Sequence, residues 1–190
     1  MVEKVSLGTM PLIYPIPIVL VGCKANGQVN FATFGDVGLM GINPPLLFLS
    51  SHRDHLTTDL IKEAGIFSIN IPDTNLLEKT DTCGIASGRE MDKAALFEVF
   101  YGSVEQAPLI SECPVNIICQ VVHQFAIQHR QLFIGQVVET LIDKDRVVEE
   151  DGKLRPKGLE ALDPIFYALD NRYYRSGPAI GIGYQTGKRQ

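Results

Sequence analysis

The run Asn43-Pro44-Pro45 sets the tightest limit on what this chain can build, because two adjacent prolines neither donate ladder hydrogen bonds nor continue a helix. The chain must turn there. Leu46 to Leu49 follows as an apolar run of strand length, then Ser50-Ser51-His52-Arg53-Asp54-His55 ahead of Thr57 and Thr58. Either threonine is placed to N-cap a helix over Thr58 to Ala64, with Gly65 as its C′ residue. Corner, strand and helix start therefore fall together in Asn43 to Ile61. Hydroxyls, Arg53 and two histidines at a helix N-terminus make either a phosphate seat or a plain polar strand-to-helix connection.

The flanking segments read mainly as strands. Ile18 to Cys23 and Val29 to Phe34 flank an Asn26-Gly27 hairpin turn, and Gly35, Gly38 and Gly41 mark a loop or bent edge before the proline corner. Ile66 to Ile71 is a strand stopped by Pro72, and Val115 to His123 and Leu132 to Ile142 are two long ones, with a bulge expected at Gly135. Helical spacing is confined to Asn75 to Phe100, where Cys83-Gly84-Ile85-Ala86-Ser87-Gly88-Arg89 interrupts it. That segment is either a close-approach loop for a bound group or a glycine-capped connection between helices. Helices this few and this unevenly spaced do not suit a doubly wound parallel sheet. A largely antiparallel sheet, closed or half closed as a barrel, is the expected fold, in one domain over residues 1–190.

Charge and motif content narrow the chemistry. A net charge of −5 without a basic run argues against a nucleic-acid surface, so a bound phosphate should belong to a small molecule. The apolar run Met10 to Cys23 carries three prolines and only Lys4 and Glu3 ahead of it, which suits neither a signal peptide nor a membrane span; a cytoplasmic location is expected. Cys23, Cys83, Cys113 and Cys119 show no ligand spacing, and His52 with His55 lacks a second donor pair, so no metal site is expected and the cysteines read as buried thiols. No G-x-S-x-G elbow, Walker A or G-x-G-x-x-G fingerprint is present. What remains is a set of polar and small residues spread over several segments, as when a sheet builds a ligand groove from separate loops.

Eight of these segments, in order, resemble the flavin reductase-like, FMN-binding split-barrel family, and most closely its flavoredoxin-like branch. They are Val21-Gly22-Cys23, Asn30 to Gly35, Asn43-Pro44-Pro45, Ser50 to Ile61, Phe67 to Pro72, Cys83 to Lys93, Glu112 to Cys119 and His129 to Val138. The resemblance implies a six-stranded antiparallel Greek-key split barrel, mainly β with α insertions, forming a homodimer with FMN near the subunit interface. It also implies residue roles. Ala32, Thr33 and Phe34 match the segment whose backbone faces the isoalloxazine ring, Asn43 the corner near the cofactor, and Ser50, Ser51, His52, Arg53, His55 and Thr57 the run that holds the phosphate. Ser87, Gly88 and Lys93 match the loop that closes over the flavin, and His129 a histidine beside the site, in the catalytic position. Two departures stand out: His52 and His55 replace arginines of relatives, and Met40-Gly41-Ile42 replaces a serine or cysteine before the prolines.

The expected function is that of an FMN flavoprotein oxidoreductase, which takes hydride or electrons from NAD(P)H or an electron-transfer protein and passes them on through the flavin. An NAD(P)H:flavin reductase releasing reduced flavin, and a flavin-binding or storage module without turnover, are the two alternatives.

Overall fold

The computed structural model of the chain describes residues 2–188; Met1, Arg189 and Gln190, included in the expected domain span, lie outside the described residues. One seven-stranded antiparallel sheet organises the molecule. Its strands are β1 (Val19–Ala25), β2 (Gln28–Phe34), β3 (Val37–Ile42), β4 (Pro45–His52), β5 (Ile66–Ile71), β6 (Val115–Ile127) and β7 (Arg130–Ile142). Their order across the sheet is β2-β1-β5-β6-β7-β4-β3.

That order explains why the barrel is split. The two edge strands, β2 and β3, follow each other in the chain, joined only through Gly35 and Asp36. A link so short can connect opposite edges only if the sheet curls until they meet. Among the described residues no strand ladder joins them. The expected architecture is therefore present, with seven hydrogen-bonded strands where six were expected, because the Gly35 to Gly41 stretch forms a bent edge strand with a register shift between Leu39 and Gly41.

Inward-facing residues of these strands build the core. Phe67 and Phe133 are fully buried with Val21, Leu49 and Ile61, each large side chain contributing roughly 1.5–3 kcal/mol by leaving water. A second cluster around Phe31, Leu20 and Ile110 packs under the helical segments. Buried Asn70 ties the two halves together. Its Nδ2 donates to the Leu20 carbonyl at 3.0 Å, while its Oδ1 accepts from Ile110 N at 3.0 Å and from Asn116 Nδ2 at 2.8 Å. This satisfaction of a buried amide holds the Pro108–Ile110 strand against β1 and β5.

Helix α1 (Leu56–Ala64) closes one end of the barrel with Leu60 and Ile61, and ends at Gly65 in the left-handed region, φ 66°, its N–H bonded to the Ile61 carbonyl at 2.8 Å. Helix α2 (Leu77–Ile85) packs on β2 and runs three residues into the segment expected as a loop. Short pairings form the periphery: Val147–Glu150 with Lys153–Pro156, and Ile165–Ala168 with Arg172–Arg175 and Ile16–Pro17. The expected bulge at Gly135 is present as a register shift between Ile134 and Gly135. Among the described residues no helix is long and apolar enough to cross a membrane.

Candidate functional site

A cavity of about 260 Å³ lies where β2, the start of α1 and the chain after α2 converge. The start of α1 is built differently from the sequence expectation. His55, not Thr57 or Thr58, is the N-cap residue; its carbonyl accepts from Thr58 N at 3.0 Å, and its side chain makes no capping bond. The threonines serve tertiary contacts instead. Thr57 Oγ1 accepts from Asn30 Nδ2 at 2.9 Å, and Thr58 Oγ1 lies 2.6 Å from Ser51 Oγ and 2.7 Å from the His52 carbonyl. The helix therefore begins two residues earlier than expected, and among the described residues its first-turn N–H groups have no side-chain acceptor where Leu56 and Thr57 line the cavity.

Lys93 supplies the opposite wall. It is 3% exposed, and its Nζ donates to the Cys83 carbonyl at 2.7 Å in the last turn of α2, its only hydrogen-bond partner among the described residues. A buried ammonium with one neutral acceptor is costly, and burial holds its pKa below the usual lysine value. The Cys83 thiol is pushed up to about 11 by its own burial, with Lys93 opposing, so it stays protonated. Burial likewise pushes the Cys23 and Cys119 thiols up to about 12 and raises Cys113. All four are free and buried, as expected, and none is a nucleophile at neutral pH. Arg89 also lines the cavity and pairs with Asp59 at 2.7 Å across a half-exposed surface.

His55 reports the field in this cavity. Its own burial lowers its pKa first, and the charges of His52, Arg130 and Lys93 lower it further against the opposing Asp54. In the ligand-free chain the imidazole should therefore titrate below its ordinary 6.5, and inorganic phosphate should move it upward, as read by NMR. The unfolded chain then takes up this proton first, so stability falls as pH drops from 6.5 towards the folded value and changes no further below it. A free-chain titration at or above 6.5 would contradict the positive field.

The structure brings seven of the sequence-predicted residues to one cavity: Ala32, Thr33, His55, Thr57, Ser87, Gly88 and Lys93. Others go elsewhere. Phe34 is buried in the core with its ring 6.3 Å from that of His55, and Ser51 is fully buried behind α1. Ser50 accepts from Arg130 Nε at 3.1 Å, and the same guanidinium pairs with Asp36 at the barrel seam. His52, Arg53 and His129 meet in a second cavity beside the first. Asn43 is exposed at the cis Asn43–Pro44 corner, before the start of β4, whereas His52 ends that strand; it lines neither cavity.

Sequence reasoning missed Asn30 and Arg89 as cavity residues. A signal for Asn30 existed: it is a polar side chain at an inward position of β2, and only 2% exposed. Gly88 packs against it so closely that an added Cβ would collide with the Asn30 amide, 2.9 Å from Cγ, and lie 3.1 Å from Leu56 Cδ2. The backbone of the Ser87–Arg89 loop therefore approaches the helix start as only glycine permits.

Known proteins share this fold. Residues 10–171 match the family described as the flavin reductase like domain. The structure superposes on flavoredoxin from Methanosarcina acetivorans with a TM-score of 0.91 at 34% identity, covering 98% of each chain. Flavoredoxin of Desulfovibrio vulgaris (Miyazaki F) gives 0.88 at 31% identity, covering 98% of this chain and 100% of the other. An FMN-binding protein from Thermus thermophilus shares the fold at 24% identity, with a TM-score of 0.75 over 92% of this chain and 96% of the other.

Proposed function

The chain belongs to the flavin reductase-like family and is a flavin-binding protein of oxidoreductase type, and we propose that its cofactor is FMN, with the phosphate end held in the cavity between α1 and Lys93. The single observation that carries this reading is Lys93, a buried ammonium facing a cavity with one neutral partner. An anionic group there supplies the missing counter-charge. The donor set fits a phosphate: Lys93 Nζ, the first-turn N–H groups of α1, the Thr57 and Ser87 hydroxyls, His55 and Arg89. Gly88 lets the loop backbone close over it.

Ala32 and Thr33 would face the flavin along β2. As an edge strand, β2 has a ladder partner on one side only, so its outer backbone groups are free to bond a ring. The 260 Å³ cavity is small for a whole flavin, and beyond its Gly84–Ile85 wall lies a cavity of about 590 Å³ lined by Ile16, Ile18, Tyr167 and Tyr173. When bound, the flavin supplies the hydride and electron chemistry. The chain orients it, limits water at its phosphate, and tunes it through the positive field around His55.

Exposed apolar side chains support the homodimer. Phe48 on β4 and Phe125 and Ile127 on β6 share one face of the sheet, bridged by Leu132 and Ile134 of β7 between them, an exposed apolar surface that a second copy would cover. A release reading, in which reduced flavin leaves for another enzyme, is favoured by one feature: His52 and His55 stand where fixed cations are expected, and His55 is held neutral.

The purified chain should be a yellow dimer whose visible band bleaches with NADH or NADPH under anaerobic conditions. A colourless monomer that takes up no added FMN would sink the proposal. Bleaching followed by passage of the flavin through a filtration membrane would select the release reading.

A further inference from the structure

Beyond Arg175 the chain leaves the barrel, and every residue from Gly177 to Lys188 is exposed. Its backbone is nonetheless wound into a defined turn. The Ile182 carbonyl accepts from Gln185 N at 3.2 Å and Thr186 N at 3.0 Å, Ile182 N donates to Thr186 Oγ1 at 2.8 Å, and Lys188 N donates to the Gln185 carbonyl at 2.9 Å. An added Cβ at Gly181 would lie 2.8 Å from Thr186 Oγ1, so the winding is close. Tyr184 sits in the left-handed region, φ 59°, where a bulky side chain is seldom found. The turn and its approach hold Ile180 and Tyr184 fully exposed and Ile182 63% exposed. Apolar side chains presented together on a closed turn leave water only against another surface.

The chain carries a matching surface, the exposed apolar face of Phe48, Phe125 and Ile127, but at the other end of the barrel. The root of the strip lies by the start of β6. Arg175 pairs with Ile165, and its Nη2 donates to Thr74 Oγ1 at 2.6 Å and Asp163 Oδ2 at 2.8 Å. Pro164 bridges Asp73, just beyond Ile71, which lies opposite Val115 at the start of β6. Phe125 stands near the far end of that strand, roughly 30 Å from Val115 at about 3.3 Å per residue. The stretch from Arg175 to Ile182 spans at most about 25 Å fully extended, and Ala179 N donating to Glu160 Oε1 at 3.3 Å holds it near its root. Within one copy the strip falls short of the face.

We propose that the strip from Ile180 to Tyr184 of one copy docks on the Phe48, Phe125 and Ile127 face of a second copy, and that the second copy returns the contact. The proposal rests on the homodimer reading and names the element that holds the pair together. A two-fold axis lying between the copies and across their strands reverses one β6 relative to the other. The Val115 end, with its strip, then meets the partner's Ile127 end. Such an exchange is self-complementary, so both unpartnered apolar features are covered twice and the assembly closes at two copies. A partner of another kind, seated on the face or on the strip, would leave the other feature in water. Ile127 immediately precedes Gln128 and His129 of the second cavity, so the seated strip lies at that cavity's rim.

Sedimentation equilibrium of the parent and of the triple variant Ile180→Asp, Ile182→Asp and Tyr184→Asp tests it. These side chains are exposed in the single copy, so circular dichroism should show an unchanged fold. The dimer dissociation constant should rise by about a hundredfold or more, since each pair loses two strips. Disulfide trapping then locates the strip. The four native cysteines are buried, so an added oxidant such as diamide couples only introduced thiols. Copies carrying Tyr184→Cys are co-expressed with copies carrying, in turn, Phe48→Cys, Phe125→Cys or Ile127→Cys. At least one mixture should give a covalent heterodimer at a yield that neither variant reaches alone. Failure of all three mixtures, or coupling within a single chain that carries both substitutions, would overturn the proposal. A monomeric parent would sink the homodimer reading itself, whereas a dimer indifferent to the triple variant would sink the strip alone.

Discussion

Replacing Lys93 with methionine is expected to weaken FMN binding by about thirtyfold or more while leaving the flavin-free chain at least as stable as its parent. The two effects have one cause. In the free chain the ammonium is 3% exposed, with the Cys83 carbonyl as its one acceptor, so it is a buried charge whose desolvation is poorly offset. An unbranched apolar side chain of similar length fills the same space without that cost. With FMN present the balance reverses, because the phosphate loses its most buried cation. Losing one partner of such a pair costs about 2–5 kcal/mol, which at about 1.4 kcal/mol per decade is tens- to thousands-fold in affinity. Riboflavin, lacking the phosphate, should lose less than about threefold. Fluorescence titration with both flavins and thermal unfolding of the free chain give the needed measurements. Equal losses for FMN and riboflavin would remove the phosphate role, and a large drop in free-chain stability would show that Lys93 is structural.

Gly88→Ala carries the second large effect. The new methyl would collide with the Asn30 side chain, which cannot swing away freely because it is 2% exposed and its Nδ2 donates to Thr57 Oγ1 at 2.9 Å. Either the Asn30–Thr57 bond breaks, or the Ser87–Arg89 loop moves off the start of α1. Overpacking of this kind costs about 1–3 kcal/mol, and both routes open the phosphate cavity. FMN affinity should drop by about tenfold or more, and riboflavin affinity by less. The double variant Gly88→Ala with Asn30→Ala discriminates between the routes. Removing the obstructed amide should restore most of the stability, while an unrelieved loss would place the strain in the loop backbone.

Much of the fold was legible because its signals are local. Ile66 to Ile71 is a strand with the expected ends, the Asn26-Gly27 hairpin is present, and Gly65 closes α1 as its left-handed cap. The errors arose where tertiary partners outbid local chemistry. Thr57 and Thr58 are good cap residues by type, yet their hydroxyls are engaged by Asn30 and Ser51, and the helix has His55 as its N-cap instead. The apparent helical stretch Asn75 to Phe100 holds one α-helix and two short 3-10 turns, Thr74–Leu76 and Ala94–Leu96.

The candidate site was legible only in part for a similar reason. His52, Arg53 and His55 look like one cluster along the chain. The passage from strand to helix divides them between two cavities, while Lys93 reaches the first of these from a segment almost forty residues on. The Asn30–Thr57 bond crosses 27 residues of sequence, which no spacing rule reports.

The strand order of the barrel has a kinetic consequence. All residues proposed to hold the FMN phosphate lie between His55 and Lys93, yet the strand that positions the start of α1, β4, is paired on its inner side only with β7, from Arg130 opposite His52 to Gln136 opposite Leu46. Contacts spanning such separations form slowly, since a long loop must be closed before any of them is gained. The order of events is thereby imposed: the hairpins β1–β2 and β6–β7 can form early and alone, but the cofactor cavity exists only after the latest-synthesised strand of the sheet has docked. Flavin uptake should therefore mark the end of folding and follow the collapse of the chain.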